Sequence, residues 1–357
     1  WDLRPGHPET ASLATPAWRA ALSRAPTGAP WPDYDQHERL RDARAAIADH
    51  LRRRRGIAAS ADEVVLLPGV SASFLALPDA LGLRGKQVAV EDPGYASAHS
   101  GLSRGGARVR PVSVDDDGLD PGRLQQADAA VYVTPAHQYP LGGRLPVARR
   151  AQLLDWALAG ERWILEDDYD GDFRYDVTPL PPLRALPGAE RCVVYLGTAS
   201  KILTPGLRVA WAVLPTGLAA RLSAALEDWG LHVSSVPALA VGNVLAGARI
   251  GPHIAAMSRL YAARRAALVS ALNRHLPEHT VLGLEAGLHV VLALPDGTDD
   301  RALQTELAGA GLLCAALSSY AVRAPVRGLV LGYATLPEST ADAAAALIAA
   351  TRRSSVS

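Results

Sequence analysis

Lysine is almost missing from this chain. Only Lys86 and Lys201 occur among its 36 basic residues, and the others are arginine. In an Ala-rich chain that usage reflects coding bias as much as chemistry, yet it leaves two side-chain amines for covalent work. Cysteine is equally scarce: Cys192 and Cys314 exclude a disulfide scaffold and a Cys-rich zinc site. Charge of either sign is not in excess. With 36 acidic against 36 basic residues the formal net charge is zero, which argues against a nucleic-acid surface spread over the whole chain. No stretch approaches about 20 consecutive apolar residues, so no membrane-spanning helix is expected. The opening WDLRPGHPET has no basic-then-apolar leader. The lone methionine is Met257 rather than residue 1, from which a processed or excised piece is expected.

What is present is ordinary globular material. A 49% hydrophobic and 20% charged composition supplies a sizeable core and argues against disorder. At 357 residues the chain is long enough for two or three domains, or for one large domain carrying a smaller one. Residues 1–35, rich in Pro, Gly and Trp, read as an arm with one short helix near Thr15–Ser23. Ala43, Ile47 and Leu51 then mark one helix stripe at four-residue spacing. Apolar runs VVLL (64–67), QVAVE (87–91), ARVRPVS (107–113), AAVYV (129–133), RWILE (162–166), CVVYL (192–196) and RVAWAV (208–213) alternate with helical segments. Several are continuously apolar, the mark of strands covered on both faces, so the fold class is α/β. After Pro215 helices dominate, with a long one from about His253 to His275, and HVVLAL and GLVLGY read as strands. The expected division is an arm at 1–35, a large domain at 36–250 and a small α+β domain at 251–357.

Chemistry concentrates at strand ends. Lys201, in YLGTASKILTPGLR, follows an apolar strand and a tight turn, with Thr198 and Ser200 before it and Arg208 seven residues on. A desolvated amine among anion ligands is suited to Schiff-base formation; the alternative is a solvent-facing loop lysine. ILEDDYDGDFRY (164–175) puts Glu166, Asp167, Asp168 and Asp170 at the end of another strand, where open α/β sheets build ligand sites. A carboxylate there can serve as acid or base, bind a metal, or hold a protonated pyridine nitrogen; a solvated acidic turn is the plain alternative. Metal binding is disfavoured, because no histidine lies nearby in sequence. LLPGVSAS (66–73) offers the free amides of Val70 and Ser71 at a helix start, an anion cup, or simply a common strand–turn–helix. EDPGYAS (91–97) offers Tyr95 as a stacking ring, and VTPAHQYPLGG (133–143) adds His137, Gln138 and Tyr139. Each of these side chains is equally at home as packing. Together they make the inventory that pyridoxal phosphate requires.

These motifs, with PHIAAMSRLYAARRAAL, AGLHVV and GLVLGYATL, resemble the aminotransferase-like domain of the MocR regulators, a subgroup of the GntR superfamily. The resemblance covers essentially the whole chain. EDDYDxxFxY followed about thirty residues later by GTxSK is its most specific part. It implies a fold type I, pyridoxal phosphate-dependent, aminotransferase-like architecture, with a large domain built on a mixed, mostly parallel sheet. By the same resemblance Lys201 is the residue that binds the cofactor covalently, Asp167 the partner of its ring nitrogen, Tyr169 the contact to its phenolic oxygen and Tyr95 the stacking ring. Val70, Ser71, Thr198 and Arg208 are implied as phosphate ligands, with Tyr34 reaching the phosphate of a partner subunit. Arg327 or Arg323 is implied as the clamp for an effector carboxylate, and His137 and Tyr139 as substrate-side residues.

Three departures stand out. The loop after Tyr34 reads Asp35–Gln36–His37–Glu38–Arg39 and lacks both family glycines; GVSAS replaces the commoner phosphate turn; and Ala96–Ser97–Ala98 supplies no basic residue after PGY, which makes GABA a poor effector. The resemblance implies a cytoplasmic homodimer that senses a small amino acid, amine or amino sulfonate. DNA is then contacted only through a winged helix–turn–helix domain outside this chain. The competing reading is an aminotransferase acting on a small amino acid or amine.

Overall fold

The computed structural model describes residues 1–25, 38–175, 180–215 and 217–356; Tyr34 lies outside them. Eight strands make the large sheet: β1 (Val64–Leu67), β2 (Gln87–Asp92), β3 (Arg108–Asp115), β4 (Gly118–Leu119), β5 (Asp128–Val133), β6 (Trp163–Asp167), β7 (Val193–Thr198) and β8 (Ala210–Val213). Their order is β1-β8-β7-β6-β5-β2-β3-β4. From β7 through β6, β5 and β2 to β3 the pairing is parallel, and β8 runs antiparallel between β7 and β1. The mixed, mostly parallel sheet expected of the sequence is the one observed.

Eight helices accompany it: α1 (Pro16–Arg24), α2 (Arg41–Arg55), α3 (Val70–Ala80), α4 (Ala96–Arg104), α5 (Val147–Ala159), α6 (Ala199–Ile202), α7 (Ala219–Asp228) and α8 (Ser235–Ala246). Continuous apolar runs follow from helices on both faces. Val88 and Val90 of β2 enter one core with Phe74, Leu102 and Leu222, whereas Ala89 between them enters another with Leu153 and Ala157 of α5. The stripe Ala43, Ile47 and Leu51 is buried, and α2 stops at Gly56, whose left-handed φ of 69° closes the helix.

Beyond it, β9 (Val281–Leu282), β10 (His289–Ala293), β11 (Ala315–Ala316) and β12 (Gly328–Gly332) form an antiparallel sheet in the order β11-β12-β10-β9. It packs with α9 (Ile250–His275), α10 (Asp300–Gly309) and α11 (Ala341–Val356). The start of the arm belongs here. Leu3, fully buried, donates its N–H to Leu313 and accepts from Gly332, each at 2.7 Å. Residues 5–7 are thereby carried to the C-terminal ends of the large sheet, where the strands deliver their side chains to one cavity.

Candidate functional site

A cavity of about 340 Å³ opens at the ends of β1, β6 and β7. One end is built for an anion. The chain turns at Gly69 (φ 106°) into α3, so the amides of Val70 and Ser71 stand free at the start of an eleven-residue helix. Arg208 lies against that turn, its Nη2 donating to Pro68 O at 3.0 Å. A Cβ at residue 69 would fall 2.7 Å from Arg208 Nη2, so the approach of guanidinium to backbone requires glycine. Thr198 completes this end, accepting from Ser200 N at 3.1 Å and donating to Ser200 Oγ at 2.9 Å.

The other end holds the amine and the acid. Lys201 Nζ donates to Gly6 O at 2.6 Å, and burial lowers the affinity of the amine for its proton, with Asp170 and Asp167 opposing. Asp167, buried at the end of β6, accepts from the Tyr132 hydroxyl through Oδ2 at 2.8 Å. Among the described residues its Oδ1 is buried without a partner. Burial pushes the Asp167 carboxyl up to about 7, against the pull of that hydrogen bond. Tyr169 lines the same cavity, its hydroxyl 2.9 Å from His137 Nδ1, which in turn lies 2.9 Å from Asp170 Oδ2.

The wall between is aromatic. Tyr95 meets Phe74 edge-on at 6.1 Å, and Tyr139 meets Tyr95, Tyr169, Tyr320 and His289 edge-on at 5.3–5.9 Å. These contacts fix ring planes without covering the cavity face of Tyr95. His289 is fully buried and neutral, its value pressed down to about 4 by burial and by His137.

Lys201, Asp167, Tyr169, Tyr95, Val70, Ser71, Thr198, Arg208 and Tyr139 therefore line one cavity, although they come from five separate segments. His137 stands behind Tyr169 rather than on the cavity surface. Neither late arginine reaches it. Arg327 is exposed and its Nη1 donates to the neighbouring Val326 O, while the loop of Arg323 is tied back by Asp92, which accepts from the amides of Val322, Arg323 and Ala324 at 2.8–3.1 Å. The sequence reading also missed Tyr132, Gly6 and His289. A polar-tipped ring in an otherwise aliphatic strand was the available signal for Tyr132; nothing local marks Gly6. No histidine lies near EDDYD in sequence, but in space His137 and His289 come to Asp170, with ligand atoms within 4.8 Å of one another.

An unpartnered buried carboxylate oxygen, a desolvated amine, a flat ring and an anion cup fit pyridoxal phosphate, whose ring nitrogen, aldehyde, ring face and phosphate need those four groups. The fold is that of aminotransferases of this kind. The protein matches the family described as aminotransferase class I and II over residues 3–348. A kynurenine aminotransferase from Pyrococcus horikoshii superposes with a TM-score of 0.89, covering 100% of this chain and 91% of that one at 23% identity. More specific are two regulators. The chain is 35% identical over 340 residues to the HTH-type pyridoxine biosynthesis transcriptional regulator PdxR of Corynebacterium glutamicum, covering 95% of this chain and 73% of the relative. It is 30% identical to the probable rhizopine catabolism regulatory protein MocR of Rhizobium meliloti, covering 95% and 69%. The chain belongs to the aminotransferase class I and II family and, within it, to the MocR-type branch of GntR regulators.

Proposed function

We propose that this chain is the pyridoxal phosphate-binding, effector-sensing and dimerisation domain of a MocR-type transcription regulator. The observation that carries the reading is the pairing, across one cavity, of the Lys201 amine with the unpartnered Oδ1 of Asp167. In this reading Lys201 holds the cofactor covalently, Asp167 receives its ring nitrogen, and Tyr169 and Tyr95 meet its phenolic oxygen and face. Val70, Ser71, Thr198 and Arg208 hold the phosphate. When bound, the cofactor supplies an electrophilic carbon that an effector amine can take over from Lys201.

The effector is a small amine, amino acid or amino sulfonate. Among the described residues Arg208 is the one arginine lining the cavity, and it belongs to the phosphate end. That supports an effector whose recognition does not depend on a bidentate arginine clamp, and it weighs against turnover of a dicarboxylic amino acid. The active unit is a homodimer, and DNA is reached through a helix–turn–helix domain outside these residues.

The test is direct. Purified protein incubated with pyridoxal phosphate and reduced with borohydride should carry one added cofactor mass, on the peptide containing Lys201. Modification spread over several peptides, or none, would overturn the assignment. Catalytic conversion of amino acids at many turnovers per site would favour the aminotransferase instead.

A further inference from the structure

Tyr132 belongs to no assigned role, yet it is the one side chain that hydrogen-bonds Asp167 among the described residues. It sits on β5, where the register pairs Tyr132 with Leu165 of β6. Asp167 therefore lies two residues further along its strand, about 6.6 Å at the usual rise. A tyrosine spans that distance. Its ring runs along the sheet and brings the hydroxyl to 2.8 Å from Asp167 Oδ2. The ring is buried and held edge-on against Phe74, with centroids 5.4 Å apart and planes at 87°, so the hydroxyl has little freedom to leave.

Two consequences follow for the acid. First, a carboxylate with Oδ2 engaged cannot rotate freely, and Oδ1 is left as the oxygen available to a ligand. Second, a phenol that donates to a carboxylate withdraws charge from it and makes it a weaker base. We propose that Tyr132 is a positioning residue which, through Asp167, keeps the proton on the ring nitrogen of a bound pyridine cofactor. The inference rests on the cofactor reading above.

The surroundings define what Tyr132 opposes. Burial, Asp168 and Asp170 all raise the affinity of Asp167 for a proton, while Tyr132 and Lys201 lower it. Glu91 of β2 is the other acid facing Tyr132; its Oε2 accepts from Thr134 N at 3.1 Å and Thr134 Oγ1 at 2.6 Å, and burial pushes it up to about 7. With the hydroxyl removed, Asp167 loses the larger of these two lowering contributions, and Lys201 remains. The shared proton then moves from ring nitrogen to carboxylate.

The experiment uses the cofactor-loaded protein with the ring nitrogen isotopically labelled, and reads its protonation by NMR across pH. Wild type should give the protonated signature. Tyr132→Phe should keep the borohydride-reducible adduct on Lys201 but move the proton within the pair, so that the plateau ratio of protonated to unprotonated ring nitrogen falls about 10–100-fold, the size of one charge-assisted hydrogen bond. Fluorinated tyrosine at position 132 has the same ring and a more acidic hydroxyl, and should shift that ratio the opposite way. A tyrosine that only packs the core would give no such reversal. An adduct present in both proteins with an unchanged protonation ratio overturns the role of Tyr132 alone. No adduct in wild type overturns the cofactor reading, and this inference with it. If Tyr132→Phe does not fold, the fluorotyrosine protein decides by itself.

Discussion

The carbonyl of Gly6 accepts a 2.6 Å hydrogen bond from Lys201 Nζ, across 195 positions of sequence. Gly6 has φ 87°, and a Cβ there would lie 2.9 Å from that nitrogen. The left-handed φ favours glycine, and a Cβ there would push the lysine amine aside. Gly6→Ala should cost about 1–2 kcal/mol of stability through left-handed backbone alone. It should also displace the amine, so that the borohydride-trapped adduct forms more slowly at equal cofactor concentration. Denaturant melts and timed trapping read the two effects separately; an alanine protein that matches wild type in both contradicts the close contact.

Lys201→Ala should abolish the reducible adduct, whereas Lys86→Ala should leave it intact. Lys86 sits on the loop before β2 and does not line the site. Because these are the chain's two lysines, the pair of variants accounts for every side-chain amine. Adduct surviving in Lys201→Ala and lost in Lys86→Ala would reassign the covalent residue.

The sheet was legible because its interior strands are buried on both faces, which writes unbroken apolar runs such as CVVYL into the sequence. Lys201 and the acids of EDDYD stood out for a different reason, since each follows such a run and strand ends are where open α/β sheets place ligands; it was the family resemblance that singled out Asp167 among those acids. What escaped is what depends on direction rather than position. His137 looked like a cavity residue, but its ring turns behind Tyr169. The resemblance implied Arg327 or Arg323 as a clamp, yet the Arg327 guanidinium folds onto the carbonyl beside it. Gly6 reaches Lys201 only because Leu3 pairs with the distant small sheet, a contact no local pattern encodes.

Three buried acids give the stability curve a sign. Glu91, Glu166 and Asp167 are each pushed up to about 7 by burial, from ordinary values of 4.5, 4.5 and 3.8. Folded values above unfolded ones mean that their contribution is complete below about pH 4 and lost as pH rises through about 7. Through these three acids the folded protein holds more protons than the unfolded chain in that window. Asp172, held down to about 2, acts only at lower pH, whereas His289, pressed down to about 4, works the other way below about pH 6.5 and offsets part of the fall. The denaturation midpoint of the cofactor-free protein should therefore fall between pH 5 and 7.5 (a span of about 2.5 units around the folded values). Glu91→Gln should flatten that fall, and a midpoint that climbs through the window contradicts the burial argument.

Arg55 and Asp168 form the buried ion pair behind the site. Arg55 Nε donates to Asp168 Oδ2 at 2.7 Å, Nη1 to Gly171 O at 2.9 Å, and the Tyr195 hydroxyl donates to the same Oδ2 at 2.7 Å. Arg55→Ala strands a carboxylate inside the protein and should cost about 3–5 kcal/mol. Asp168→Asn on that background should recover part of the loss, because the stranded charge goes with it. A double variant no more stable than Arg55→Ala in urea melts would show that the pair does not act through charge.

The late arginines supply the last prediction. Arg327 is exposed, donates only to the adjacent Val326 carbonyl and does not line the cavity. Arg323 is exposed too, and its loop is pinned by three amide hydrogen bonds to Asp92, itself buried at the end of β2. Bringing either guanidinium to the site requires breaking contacts that cost about 1 kcal/mol each. A true clamp would lose about 10–100-fold in effector affinity on truncation, the equivalent of ~1.5–3 kcal/mol for a charge-assisted bond. Arg327→Ala and Arg323→Ala should instead each titrate within about twofold of wild type, less than a surface charge is usually worth. Titrations with a panel of amines, amino acids and amino sulfonates, read by the cofactor's absorbance, decide it. A tenfold loss confined to the acidic ligands in either variant would mean that the loop between β11 and β12 swings in to close the site, against the arrangement seen here.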